Sequence, residues 1–133
     1  MTPEVDEGVV LSGARPGEVE AMVRAALDAF GGRLDCAVNN AGITAPGALL
    51  HDIALDAWER QLAVSLTGVF LCLRAELPVM RAQGGGRIVQ CSSVLGFTPL
   101  PWRGAYVASK FALEGLTHVL RLEMRDTPVR VIL

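Results

Sequence analysis

Lysine and tyrosine are almost missing from this sequence: 133 residues hold one of each, Lys110 and Tyr106, beside eleven arginines. The arginines are scattered singly from Arg15 to Arg130, and the net charge is -2. No basic stripe is available to hold a phosphate backbone, so no nucleic-acid partner is expected. Cysteine is scarce too. Cys36, Cys72 and Cys91 are widely spaced in apolar runs, unlike a disulfide framework or the close pairs of a zinc site, and are expected as small core residues. His51 and His118 stand alone and are expected to be structural, so no metal site is expected. The longest apolar stretch, Leu62 to Leu73, is interrupted by Ser65, Thr67 and Gly68. It is too short for the roughly 30 Å of a bilayer's hydrocarbon, so it reads as a buried helix with no membrane partner. Met1 to Gly8 shows no charged-then-apolar leader, which makes the cytoplasm the default compartment. What is present is 51% hydrophobic and 20% charged residues, the profile of one soluble domain over residues 1–133 and not of a disordered chain.

Periodicity orders the chain. Gly8 to Leu11 reads as a short strand, followed by a helix whose Val19, Met22, Val23, Ala26, Leu27 and Phe30 recur at three- and four-residue spacing until Gly31-Gly32. Leu34 to Val38 reads as a buried strand running into Asn39-Asn40-Ala41-Gly42. Asp56 and Glu59 resemble a capping box opening a long helix with Trp58, Leu62, Leu66, Val69, Phe70 and Leu73 on one face. Asp52 is grouped with those carboxylates as a cap. A turn at Gln83 to Gly86 leads into the strand Arg87 to Ser93, a helix over about Gly104 to Met124, and a last strand from Val129 to Leu133. The triple glycine precedes a strand, whereas a phosphate-cradling loop follows a strand and opens a helix. The pattern is α/β: a partial Rossmann-like, doubly wound parallel sheet of about four strands with three main helices.

Tyr106 and Lys110 lie four apart, on one face of the predicted helix. Where plain positive charge sufficed this chain used arginine. A compact ammonium beside a phenol favours the phenol's ionised form, which can then exchange a proton. Ser93, thirteen residues ahead of Tyr106, ends the preceding strand with a hydroxyl able to donate to a carbonyl oxygen. Phe97 and Trp102 lie between them, where they could floor a pocket or merely pack.

On Asn39-Asn40-Ala41-Gly42 after a strand, Ser93 ahead of Tyr106-Val107-Ala108-Ser109-Lys110, and the long helix opening at Trp58, the chain resembles the short-chain dehydrogenase/reductase family. The resemblance implies an oxidoreductase dependent on NAD or NADP that interconverts a carbonyl and a secondary alcohol. It implies Tyr106 as acid/base, Lys110 supporting it and binding the nicotinamide ribose, and Ser93 polarising the substrate carbonyl. Asn40, Ala41 and Gly42 would lie along the cofactor's ribose, with the hydride coming from the cofactor. A small carbonyl or alcohol is the implied substrate. The helix from about Ala57 and the helix holding Tyr106 resemble those through which family members associate, so a homo-oligomer is expected through them.

The sequence departs from the family at three places. Ser65 stands where the family has a catalytic asparagine, and a serine lacks an amide's paired donor and acceptor. No complete Gly-x-x-x-Gly-x-Gly stands before Asn39: Val9 to Gly17 imitates its opening, but Val19 occupies the last glycine's place. Aligning Gly8–Leu11 with the family's third strand puts Ser12 at an adenine-binding aspartate's position. The chain therefore reads as a central fragment, truncated at both ends and expected to bind the dinucleotide weakly or undetectably. In the family's 3-2-1-4-5-6-7 order the first strand would lose its neighbours, so pairing at the vacant edge beside Leu34–Val38 is expected. The alternatives are a catalytically inactive interaction module and a truncated gene product.

Overall fold

The computed structural model describes residues 15–133. The strand expected at Gly8–Leu11, its pairing, and Ser12 lie outside the described residues. Helix α1 (Pro16–Ala29) begins on a proline, whose missing N–H is harmless in a first turn, and carries Glu18 against the positive end of the helix dipole. Its Val19 and Val23 are buried, but Met22 and Phe30, read as core, are exposed. The reason is where α1 packs: it lies against helix α3, below, and buries only a narrow stripe there.

Strand β1 (Cys36–Asn39) follows, then a loop with a 3-10 turn at Leu50–Asp52. The next helical run, Leu55–Ala82, is continuous over 28 residues. It comprises α2 (Leu55–Leu62), a π-helical turn (Ala63–Thr67) and α3 (Gly68–Ala82). The capping box does not form, because the helix starts earlier, with Ala54 as a cap that offers no side-chain bond. Asp56 sits inside the first turn instead, where Ala57 N–H donates to its Oδ1 at 2.8 Å. The buried stripe also differs from the sequence reading. It contains Gln61, Ser65, Val69, Leu73, Glu76 and Met80, while Phe70 is exposed and Leu62 and Leu66 are half-buried. The π turn admits one more residue per turn, which keeps Gln61, Ser65 and Val69 aligned with the α3 stripe that follows. The run is long and apolar enough, with a mean hydropathy of 1.6 over its most apolar window, to cross a membrane by length and composition. It is longer than the Leu62–Leu73 stretch suggested, yet Val69, Leu73 and Met80 pack into the core.

Strand β2 (Gly86–Gln90), helix α4 (Gly104–Met124) and strand β3 (Val129–Ile132) complete the architecture. The three strands form a parallel sheet in the order β1-β2-β3. The register aligns Ala37, Ile88 and Val131 in one row and Val38, Val89 and Ile132 in the next. The first row faces α3 and α4, and with Leu113, Leu120, Met124 and Val129 it makes the core. Burying each such side chain contributes roughly 1.5–3 kcal/mol. In the second row Val38 and Ile132 are exposed, as are Cys36, Arg87 and Arg130 beside it. Among the described residues the helices thus cover one face of the sheet, which explains why its strands alternate buried and open positions. Cys36 is correspondingly exposed, and Cys72 and Cys91 are half-buried, rather than all three being core residues.

One side chain stands in for a strand neighbour. Gln83, capping the end of α3, accepts from Leu34 N–H at 2.9 Å through Oε1 and donates to Leu34 O at 2.8 Å through Nε2. The same Nε2 donates to Gly85 O at 2.7 Å, so it closes the glycine turn as well. Gly84 and Gly85 hold φ of +90° and +146° there, conformations that a side chain would strain.

Candidate active site

Parallel strands deliver their C-terminal ends to one rim of the sheet, and the loops after β1 and β2 meet α4 there. Lys110 is buried in α4, and its Nζ donates to Cys91 O, just past the end of β2, at 2.8 Å. The same ammonium lies 5.8 Å from the centre of the Tyr106 ring. The one-turn spacing of Tyr106 and Lys110 therefore brings them together as read from the sequence.

Two cavities open at this rim. One, of about 230 Å³, is polar and is lined by Asn40, Gly42, Ile43, Thr44, Cys91, Ser92, Tyr106 and Lys110. The other, of about 180 Å³, is walled mainly by carbon from Ala45, Pro46, Ala48, Ile53, Ala57, Trp102 and Ala105, with Gln61, Arg103, Gly104 and Tyr106 completing it. Tyr106 is the residue that the two share.

Ser93 is half-buried at the N-cap of a 3-10 turn (Val94–Gly96), where its Oγ accepts from Leu95 N–H at 3.2 Å. Among the described residues its own hydroxyl has no acceptor. It lines neither cavity, and its neighbour Ser92 occupies the polar wall instead. Of the three residues expected along a cofactor ribose, Asn40 and Gly42 line the polar cavity and Ala41 does not. Ser65 is fully buried; its Oγ accepts from Gln61 Nε2 at 2.7 Å and from Ile43 N–H at 3.4 Å. It thus ties the buried helix to the loop after β1, although it lacks an amide.

The loop from Gly42 to Leu50 is laced to the segment before α4. Arg103 Nη1 donates to Ala45 O at 3.0 Å, and Ala48 N–H donates to Trp102 O at 3.1 Å. Trp102 is held there at a φ of 62°, a left-handed conformation unusual for a bulky residue. Its ring is exposed at the mouth of the apolar cavity. Phe97 is exposed and lines neither cavity. Gln61 and the Cys91 carbonyl were not legible as site groups. The four-residue spacing of Gln61 and Ser65 on the buried stripe was the available signal for the first, while a backbone carbonyl gives none.

The polar cavity fits part of a nicotinamide dinucleotide. A Cβ built on Gly42 would stand 3.8 Å from Ser65 Oγ and 3.9 Å from Lys110 Nζ, so the open glycine is bordered by a hydroxyl and an ammonium. Donors of this kind suit ribose hydroxyls. Seating for a pyrophosphate is not found among the described residues, since the triple glycine leads into β2 and not into a helix. Nor is there, among them, a group of three His, Cys, Asp or Glu side chains placed to hold a metal ion.

The described architecture and this rim define an α/β protein of Rossmann type. The family model for short chain dehydrogenases matches residues 9–133, and the chain belongs to that family. It is 42% identical over 123 residues to a 3-alpha-(or 20-beta)-hydroxysteroid dehydrogenase of Mycobacterium tuberculosis, covering 92% of this chain and 46% of that one. It is 36% identical over 117 residues to a D-beta-hydroxybutyrate dehydrogenase of Rhizobium meliloti, covering 88% and 45%. A solved metagenomic short-chain oxidoreductase in complex with NADP superposes with a TM-score of 0.82 at 38% identity, covering 88% of this chain and 52% of the other. The chain spans about half the length of these relatives.

Proposed function

We propose that this chain carries the catalytic half of an NAD- or NADP-dependent oxidoreductase that interconverts a carbonyl and a secondary alcohol. The observation that carries the reading is the position of Tyr106, the shared wall of a polar cavity and an apolar one. A phenol there meets a cofactor's ribose on one side and a substrate's carbon skeleton on the other. The relatives named above, a hydroxysteroid and a hydroxybutyrate dehydrogenase, support an alcohol or ketone as substrate.

Each residue then has a task. Tyr106 gives its proton to the substrate oxygen in reduction and takes one back in oxidation. Lys110, anchored on Cys91 O, keeps a positive charge beside the phenol, stabilising negative charge that develops on its oxygen. The remaining ammonium protons, with the backbone of Asn40 and Gly42, hold ribose hydroxyls. Ser93, expected to polarise the substrate carbonyl, lines neither cavity, so that task requires the carbonyl to reach the N-cap of the 3-10 turn next to Ser92 of the polar wall. When bound, the nicotinamide supplies or removes the hydride. The setting that free cysteines and this cofactor favour is cytoplasmic. The described residues work as one Rossmann-type unit, and self-association through the Leu55–Ala82 helical run and α4 is part of the proposal.

The test is transfer of deuterium from 4-deuterated NADPH or NADH to cyclohexanone, read by mass spectrometry with millimolar cofactor to offset weak binding. Labelled alcohol from the wild type, lost on Tyr106→Phe with the fold retained by circular dichroism, is the expected result. Equal labelling by both proteins, or none by either, overturns the reading. In the second case, the presence of Ser65 where the family has asparagine favours a non-catalytic interaction module.

A further inference from the structure

The segment entering α4 bends in a four-residue turn, Leu100 to Arg103, closed by Arg103 N–H donating to Leu100 O at 3.3 Å. Pro101 stands at its second position, and Trp102, with a φ of 62°, at its third. That is the pattern of a type II turn, whose third position calls for glycine because a side chain there crowds its own backbone. The chain has fourteen glycines and yet places a tryptophan here. Such a conformation costs backbone free energy and persists only where the surroundings hold it.

The surroundings do hold it. Ala48 N–H donates to Trp102 O at 3.1 Å, Arg103 Nη1 donates to Ala45 O at 3.0 Å, and a Cβ built on Gly47 would stand only 3.2 Å from Trp102 Cβ. The fold gains little from the ring in return, since Trp102 is 61% exposed. What Trp102 does line is the apolar cavity, together with Pro46, Ile53 and Tyr106. No carboxylate lines that cavity, and its one charged residue, Arg103, is tied to Ala45. Size narrows the ligand further: a cavity of about 150 Å³ takes a benzene ring, and this one is about 180 Å³.

We propose that Trp102 is a specificity residue whose indole, held at the cavity mouth by the strained turn, packs on the carbon skeleton of the substrate, and that the preferred substrate is a neutral cyclic alcohol or ketone. The proposal rests on the reading of Tyr106 as the acid/base and names the substrate class for that same site. The substrate oxygen meets Tyr106, its ring fills the carbon-lined space, and the indole covers a ring face that water would otherwise wet. A short hydroxy acid is disfavoured, because its carboxylate would lose water for a wall made mainly of carbon.

The probes are cyclohexanol, 2-hexanol, with the same carbon count but no ring, and 3-hydroxybutyrate, titrated into the purified chain and followed by amide and indole N–H shifts in NMR. The chain has two tryptophans, so Trp58, which does not line the cavity, serves as the internal reference. Cyclohexanol should move the Trp102 indole and bind more tightly than 2-hexanol by about threefold or more, because a closed ring has fewer rotors to freeze; 3-hydroxybutyrate should bind most weakly. Trp102→Ala should weaken cyclohexanol about fivefold to tenfold, the worth of covering one face of a small ring, and bring it level with 2-hexanol. Trp102→Phe should restore most of the preference. Trp102→Gly should lose the preference like the alanine variant but melt at a higher temperature than it, because glycine accepts the left-handed turn. Tyr106→Phe should keep the ring preference even though it abolishes hydride transfer, so the two readings fail separately. Equal binding of the two alcohols to the wild type, no binding, tighter binding of the hydroxy acid, or a preference that survives Trp102→Ala overturns the assignment. A glycine variant that melts no higher than the alanine variant overturns the role given to the strained turn.

Discussion

Lys110 Nζ and the carbonyl oxygen of Cys91 are 2.8 Å apart, so the single lysine of the chain pins the rim of β2 to the second turn of α4. Lys110 as a whole is 4% exposed. There is little room for a longer, planar head, and the carbonyl is a single acceptor point rather than a carboxylate fork. Lys110→Arg is expected to destabilise the chain by about 1–3 kcal/mol in urea unfolding, through a misplaced donor at a buried carbonyl. It should also shift the amide resonances of Cys91 to Ser93. An unchanged unfolding midpoint would show that the bond is incidental.

Glu76 is buried beneath β1, where Asn39 Nδ2 donates to its Oε2 at 3.1 Å. Burial holds its carboxyl above the ordinary range, and the Asn39 bond offsets only part of that. A raised carboxyl binds its proton more tightly folded than unfolded. Its contribution to stability is therefore present below the ordinary carboxylate range and is lost as pH rises through the raised value. Glu76→Gln, which keeps an acceptor for Asn39, should flatten that part of the stability profile and raise the melting temperature at neutral pH. Thermal unfolding across pH 4 to 8 measures both.

The cysteines should separate by reactivity. Burial, with the nearby Glu76 charge adding to it, pushes the half-buried Cys72 thiol up to about 11, so it carries almost no thiolate at pH 8. Cys36 is exposed on the open sheet face. Labelling with a disulfide reagent should show one fast thiol, removed by Cys36→Ser, with Cys72 slower by about tenfold or more. A fast Cys72 would mean that the Cys72–Glu76 stretch of α3 opens readily.

Gln83→Ala removes the acceptor for Leu34 N–H and the donor for two carbonyls. The loss should cost about 1–3 kcal/mol, because among the described residues the chain entering β1 has no other partner for these groups. Gln83→Asn, one methylene too short, should not restore it. Chemical denaturation of the three proteins tests the ranking.

Much of the fold was legible because its signals are local. Val19 and Val23 announce a helix whatever they touch, and the strands read at Leu34–Val38 and Arg87–Ser93 form at Cys36–Asn39 and Gly86–Gln90, around the short apolar stretches Cys36–Val38 and Ile88–Val89. The outlook of each face was not. Phe70 and Met22 belong to apolar periodicities but point away from the core, since the partner that would cover them is not specified by their own spacing. The π turn around Ser65 also shifts the register between α2 and α3, a displacement that no constant period expresses. At the site, Tyr106 and Lys110 were readable from one helical turn. Gln61 and the apolar cavity were not, because they join a helix to two loops brought together only by the sheet.

The amino-acid order by itself determined the α/β alternation, the family, and the phenol and amine set on one helix face, since these depend on neighbours within a few residues. Tertiary structure alone decided that a backbone carbonyl at Cys91 anchors the lysine, that Ser93 stands at the N-cap of a turn rather than in a cavity wall, and that Tyr106 divides a polar space from an apolar one. Cavities and buried orphan atoms arise where segments distant in sequence pack, and packing is fixed by shape and burial across the whole core.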